Sequence, residues 1–400
     1  MKSLVYLTFS LLSLVAALPL EDSGKESKIV PEKYIVMLKP GVKASEVSEH
    51  MVWAEQVHKR SLDGRGKKHR GVEKVWKGKV NGYSGEFDNK TITEIAENDD
   101  VLFVEPVQTV DLYGTVTQSS VTWGLGSISR RTPGSTKYLY DETAGNDTWA
   151  YIVDTGLYTE HKDFEGRAFL GYNAIKDTEF RDLQGHGTHC AGTIGSRAYG
   201  VAKKAKMISV KVFDEGASTT DVVIDGYQWA VANITNTPGR AAKSVISMSI
   251  GGGFSRAFNT CIEKAYGEGI LTVVAAGNSE EDASKFSPAA APNAITVGAI
   301  DKNNIRPTFS NFGPLVDVFA PGVGIRSTWI GNQGASAYMS GTSMACPHVA
   351  GLALYLMGLG NETLSSPRAV TDRIKELATP DVVVNATVGT PNFLAYNGII

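Results

Sequence analysis

Three cysteines in 400 residues are too few, and odd in number, for a disulfide framework. Cys190 follows a histidine, Cys261 lies in a helix-like stretch and Cys346 stands among small residues, so each reads as a free thiol packed like a small apolar side chain. Charge of one sign is not in excess either. With 39 Lys and Arg against 42 Asp and Glu, the net charge of −3 gives no reason to expect nucleic acid or an anionic membrane as a partner. Long apolar runs are missing, and no stretch reaches the ~18–20 residues of a spanning helix. What is plentiful is glycine, at 42 residues, which suits tight turns and close approach of backbone to a ligand.

Length and composition allow one large domain plus a small one. Met1-Lys2 followed by the apolar run Leu4–Ala17, closing on Val15-Ala16-Ala17, predicts a signal peptide over 1–17 and hence export to the extracellular space. The chain closes on Asn397-Gly398-Ile399-Ile400, which is no retention signal. Between Glu32 and about Leu112 the pattern predicts strands at Tyr34–Leu38, Gly82–Phe87 and Val101–Pro106, with helices at Ser45–Lys59 and Thr91–Asn98. That is a compact α+β module. Lys59, Arg60, Arg65, Lys67, Lys68 and Arg70 alternate with glycines between its first helix and second strand, which reads as a solvated loop rather than a nucleic-acid patch. Asp111–Val121 is polar and without periodicity, and reads as an exposed linker.

The remainder alternates apolar strand-like runs (Ala150–Val153, Met207–Phe213, Val245–Ile250, Leu271–Ala275, Ala294–Val297 and Val316–Phe319) with helical runs such as Asp221–Ala232 and Arg256–Gly267. Apolar strands separated by helices predict an α/β fold, a parallel sheet with helices on both faces and functional groups at strand ends.

Three motifs carry chemistry. Gly341-Thr342-Ser343-Met344-Ala345-Cys346-Pro347-His348 runs into an apolar helix and places Ser343 near a helix N-terminus, where free N–H groups and the dipole favour a developing oxyanion. On its own this equally describes an N-cap on a buried helix. Tyr151-Ile152-Val153-Asp154-Thr155-Gly156 is an apolar strand ending in a carboxylate, and Gly185-His186-Gly187-Thr188-His189 opens a small-residue helix. Aspartate, histidine, serine is the chain order of subtilisin, as opposed to chymotrypsin or the α/β-hydrolases. His186 and His189 lack the glutamate and four-residue spacing of a zinc-protease helix, and no catalytic metal is expected.

On these motifs the chain resembles the subtilisin-like serine proteases of the proteinase K subgroup, most closely the secreted fungal, dermatophyte-type enzymes. The resemblance implies a subtilisin-like peptidase domain over 116–400 and a propeptide over 18–115. The propeptide's inhibitor-like domain, about 32–112, would serve as inhibitor and folding aid, with the mature chain starting near Val116. It implies Ser343 as nucleophile, His186 as general base, Asp154 as the residue orienting it, and Asn278 as oxyanion donor. Ser249, Ile250, Gly251, Gly252, Ala275, Ala276 and Gly277 would wall a pocket for large apolar or aromatic side chains. Gly216, Ala217 and Ser218 would form a strand edge pairing with extended peptide. The family's calcium carboxylate falls on Asp317, with the carbonyls of Pro292 and Ala294 as further ligands, and the positions of its disulfides fall on other residues, Trp149 and Ile295 among them. Sequons stand at Asn89, Asn146, Asn233, Asn361 and Asn385. The expected protein is a secreted, monomeric, broadly specific endopeptidase acting on proteins and peptides. A vacuolar processing protease of the same family, or a catalytically silent binding protein on the same fold, are the alternatives.

Overall fold

The computed structural model of the chain describes residues 29–62, 70–78, 80–108, 114–360 and 364–399. The expected signal peptide, the centre of the basic loop and the sequon at Asn361 lie outside these. The chain divides into two compact units, one up to Tyr113 and one from Gly114.

In the first unit, β1 (Ile29–Leu38), α1 (Ala44–Leu62), β2 (Gly71–Trp76), β3 (Gly82–Glu86), α2 (Asn89–Ala96) and β4 (Val101–Gln108) form an antiparallel sheet of order β2-β3-β1-β4 with two helices. Val36, Leu38, Tyr83, Phe87, Ile92 and Ile95 fill its core. The sequence reading missed β2, whose residues are mostly exposed and so carry no apolar alternation; the segment expected as loop ends in a strand paired with β3.

The second unit begins with β5 (Thr115–Ser119), α3 (Trp123–Ile128), β6 (Lys137–Asp141), β7 (Trp149–Asp154), β8 (Ala168–Asn173), α4 (His186–Gly195), β9 (Lys206–Lys211) and α5 (Thr220–Thr235). It continues through β10 (Ser244–Met248), β11 (Gly252–Gly253), α6 (Arg256–Gly267), β12 (Leu271–Ala275), β13 (Phe286–Ser287), β14 (Ile295–Ile300), β15 (Val318–Pro321), β16 (Ile325–Thr328) and β17 (Ser336–Met339). It closes with α7 (Thr342–Met357), α8 (Pro367–Leu377), β18 (Thr379–Pro380) and β19 (Phe393–Leu394). One correction concerns the expected linker: β5 is no aperiodic loop but pairs antiparallel with β6, Val116 opposite Tyr140.

Nine strands make the main sheet, in the order β18-β19-β15-β14-β12-β10-β7-β9-β8, parallel from β19 to β8. Helices α4 and α7 pack on one face over a core that includes Ile152, Val273, Val297, Val349 and Leu352, while α5 and α6 cover a second core around Tyr151, Val210, Tyr227 and Ile262. Covering both faces explains why β7, β10, β12 and β14 read as continuous apolar runs. From β7 the chain fills one side with β8 and β9 and then crosses to β10, so the carboxyl ends of β7 and β10 border a topological switch point, where open α/β sheets form crevices.

Candidate active site

Asp154 is the last residue of β7 and is 1% exposed, carried inward by a strand whose other residues from Ala150 on are also buried. His186 is not at a strand end, as expected, but is the first residue of α4, after a long loop from β8. Its Nδ1 lies 2.7 Å from Asp154 Oδ1, which also accepts from the Thr155 N–H at 2.7 Å. Contact this close requires Gly187: a Cβ there would lie 2.2 Å from the Gly156 carbonyl oxygen. Burial alone would lower the His186 pKa, but the Asp154 carboxylate overrides it and raises the imidazole well above 6.5. Burial pushes the Cys190 thiol up, so it stays protonated beside the ring. The other histidines of this region, His189 and His348, are buried, pushed to about 4 and bound to backbone carbonyls, as neutral core residues are.

Ser343 is the second residue of α7, and it is half-exposed while the residues around it are buried. Pro347 stands inside the helix, four residues on, and has no N–H to give the Ser343 carbonyl. That carbonyl is satisfied from outside the helix, by Ser249 Oγ at 2.9 Å and the Cys190 thiol at 3.5 Å. The Ser343 hydroxyl donates to the Ser249 carbonyl at 2.9 Å. Cys190 Sγ is also 3.9 Å from His186 Nδ1, so Ser343 and His186 flank one thiol. Asn278 follows β12, and its Oδ1 accepts from Thr342 N–H at 2.8 Å and Thr342 Oγ1 at 2.9 Å. With the acceptor oxygen fixed, the Nδ2 group remains to donate beside Ser343. The preceding turn needs Gly277, with φ of 105° and no room for a Cβ against Asn311.

A cavity of about 250 Å³ opens beside Ser343, lined by Ser249–Gly253, Ala275–Ser279, Phe286, Ala289 and Thr342. None of these residues is ionisable. A second cavity, of about 190 Å³, shares Ile250–Gly253 and adds Phe213, Ala217, Ser218 and Thr219. The triple glycine is fixed in place, since Gly252 and Gly253 pair with Ser287 and Phe286. Gly216–Ser218 forms no strand within the chain itself; Gly216 and Ala217 are exposed, Ala217 and Ser218 line the second cavity, and Gly216 lines neither.

A carboxylate–imidazole pair, a serine at a helix N-terminus, an aimed amide and an uncharged pocket form a constellation suited to acyl transfer. A family model described as "Subtilase family" matches residues 145–393. The chain belongs to the subtilase family. A "Peptidase inhibitor I9" model matches residues 33–113, covering the first unit's sheet except for the start of β1. "Subtilisin-like proteinase Mp1" of Magnaporthiopsis poae is 53% identical over 98% of this chain and 98% of its own. "Alkaline protease 1" of Aspergillus oryzae is 49% identical over 99% of this chain and 98% of its own. The crystal structure of a cold adapted subtilisin-like serine proteinase is 38% identical, with a TM-score of 0.64, covering 70% of this chain and 99% of that one. The protein is thus a subtilisin-like serine endopeptidase with an inhibitor-type domain ahead of its catalytic unit.

Two carboxylates that sequence reasoning passed over support this subtilase site. Asp182 is buried in the loop before His186, and Asp214 pairs with the fully buried Lys211 at 2.9 Å, whose Nζ also donates to the Thr155 carbonyl at 3.0 Å. The only local signal was an Asp shortly before a helix start. All three cysteines are free. Among the described residues the one cluster with metal-ligand spacing is Asp154, His186 and Cys190, where an ion would occupy the imidazole.

Asp317, expected as a calcium carboxylate, has a side-chain cation beside it. Asp317 Oδ1 lies 2.7 Å from Lys375 Nζ and Oδ2 accepts from Thr296 N–H at 2.8 Å, so the carboxylate already faces a cation. Of the sequons, Asn89, Asn146 and Asn385 are exposed, whereas Asn233 is half-buried in α5 with Oδ1 bound by Tyr151 OH at 2.6 Å.

Proposed function

We propose that the enzyme hydrolyses proteins with broad specificity, preferring large apolar or aromatic residues before the scissile bond. The observation that carries this reading is the uncharged cavity beside Ser343, walled largely by glycine and alanine. A lysine or aspartate side chain entering it would lose water without gaining a partner.

In this mechanism the Ser343 hydroxyl turns from the Ser249 carbonyl to His186, which takes its proton as Oγ attacks the peptide carbonyl. The oxyanion is held by Ser343 N–H and Asn278 Nδ2. His186, its charged form stabilised by Asp154, passes the proton to the leaving amine, and water then releases the acyl group by the reverse sequence. Exposed backbone at Gly216–Ser218 and Gly251–Gly253 binds extended peptide by strand addition, which reads little sequence.

The signal-like first 17 residues and the inhibitor-type domain support a secreted zymogen, cut ahead of β5 and acting as a monomer. Asn89, Asn146 and Asn385 are the described sequons exposed enough to carry glycans. For Asp317 we propose that the Lys375 ammonium supplies the charge that the resemblance gives to calcium.

The test of specificity is kcat/KM on peptides that differ only in the residue before the scissile bond. Phe and Leu should exceed Lys and Asp by at least about tenfold, on the cost of leaving a buried polar group unpaired. Equal rates for all four would refute the pocket assignment.

A further inference from the structure

Asp182 is 4% exposed, and its carboxylate accepts five hydrogen bonds. Oδ1 takes the Thr155 hydroxyl at 2.9 Å, Gly185 N–H at 2.8 Å and Gln184 N–H at 3.1 Å. Oδ2 takes Thr188 N–H at 2.9 Å and the Thr188 hydroxyl at 2.6 Å. The partners fall on both sides of the catalytic pair. Gly185 and Thr188 bracket His186 in the first turn of α4, and Thr155 follows Asp154. The Thr155 hydroxyl is itself a bridge, since it accepts from Gly187 N–H at 2.9 Å. Thr155 N–H in turn binds Asp154 Oδ1, the oxygen that meets His186.

We propose that Asp182 is a positioning residue that locks the first turn of α4 against the end of β7 and so sets the Asp154–His186 hydrogen bond. It contacts neither Ser343 nor the substrate cavities, so it acts through its neighbours. The arrangement requires a carboxylate, because all five partners are donors. An asparagine has the same shape but turns an NH₂ group toward donors on one side, losing at least two bonds and pushing residue 155 or the helix turn away. A register error at Asp154 weakens the imidazolium, and the effect falls on the chemical step rather than on substrate capture.

This inference rests on the triad reading above, and the experiment separates the two. Full-length precursor carrying Asp182→Asn is matured, quantified by mass and assayed for kcat, KM and the pH dependence of kcat/KM, beside wild type and Ser343→Ala. The expected result is a kcat at least tenfold lower with KM within twofold, and an acid limb moved to lower pH as the Asp154 contact loosens. A kcat within twofold of wild type and an unmoved limb would overturn the role even if the variant melts earlier. So would a rise in KM alone. If Asp182→Asn does not mature, Thr155→Val removes only the bridge, leaves Asp182 its backbone donors and is judged by the same criteria with a smaller expected loss. Activity surviving in Ser343→Ala would overturn the triad reading instead, whatever Asp182→Asn does.

Discussion

Replacing Asn278 separates two jobs that its side chain performs at once. Oδ1 holds the start of α7 through Thr342 N–H at 2.8 Å and Thr342 Oγ1 at 2.9 Å, while Nδ2 is left for the oxyanion. Asn278→Ala removes both. Losing the oxyanion donor should lower kcat about 10²–10³-fold, or about 2.7–4 kcal/mol, a magnitude established on a member of this family. Leaving the buried Thr342 donors unpaired should cost about 1–3 kcal/mol of stability. Asn278→Asp keeps an acceptor for Thr342 but offers no donor and brings negative charge toward the oxyanion. Its kcat should fall at least as far, while its melting temperature stays nearer that of wild type. The assay is steady-state cleavage of one chromogenic peptide, with thermal melts of the same protein inactivated at Ser343. KM should change little, since the donor is used in the transition state. A kcat within threefold of wild type in both variants would refute the assignment, and equal melting temperatures would refute the anchoring role of Oδ1.

Two further outcomes follow from the electrostatics. Because Asp154 raises His186 well above 6.5 and the base must be neutral to act, activity should fall as pH drops through that raised pKa; an acid limb of kcat/KM centred at or below 6.5 would contradict it. Removing the ammonium with Lys375→Ala should create a calcium response at Asp317, seen as a larger rise in melting temperature with calcium over chelator than wild type shows, up to about 2.7 kcal/mol at a hundredfold excess over Kd. Calcium stabilisation of wild type that vanishes in Asp317→Asn would contradict it.

The catalytic groups were legible because each sits in a short motif whose chemistry is local. Strand β7 ends in a carboxylate, α4 opens on a histidine and α7 carries a serine as its second residue, and in each case a glycine at a fixed offset permits the turn or close approach. Six strands of the main sheet, β7, β9, β10, β12, β14 and β15, were legible because burial on both faces leaves continuous apolar runs, whereas β8 is partly exposed and β18 and β19 are two residues each, and these were missed. What escaped depends on partners distant in sequence or on weak local patterns. Strand β2 is exposed, and β5 is polar and identified only by its pairing with β6. Asp182 and Thr155 meet across 27 residues, and nothing near either announces the contact. Lys375 reaches Asp317 from a helix whose own pattern is an ordinary amphipathic one. Sequence resemblance could mark Asp317 as a cation site, but the Lys375 ammonium beside it is visible only in the fold.

The most direct measurement follows wild type and Ser343→Ala, both expressed as full-length precursors, by intact mass and by cleavage of a peptide with phenylalanine before the scissile bond. Wild type should lose its inhibitor-type domain, leaving a chain that begins at or shortly before β5, and should cleave the peptide, while Ser343→Ala stays full length and inert. Cleavage by purified Ser343→Ala at a rate comparable to wild type would contradict the account, because the nucleophile would then lie elsewhere.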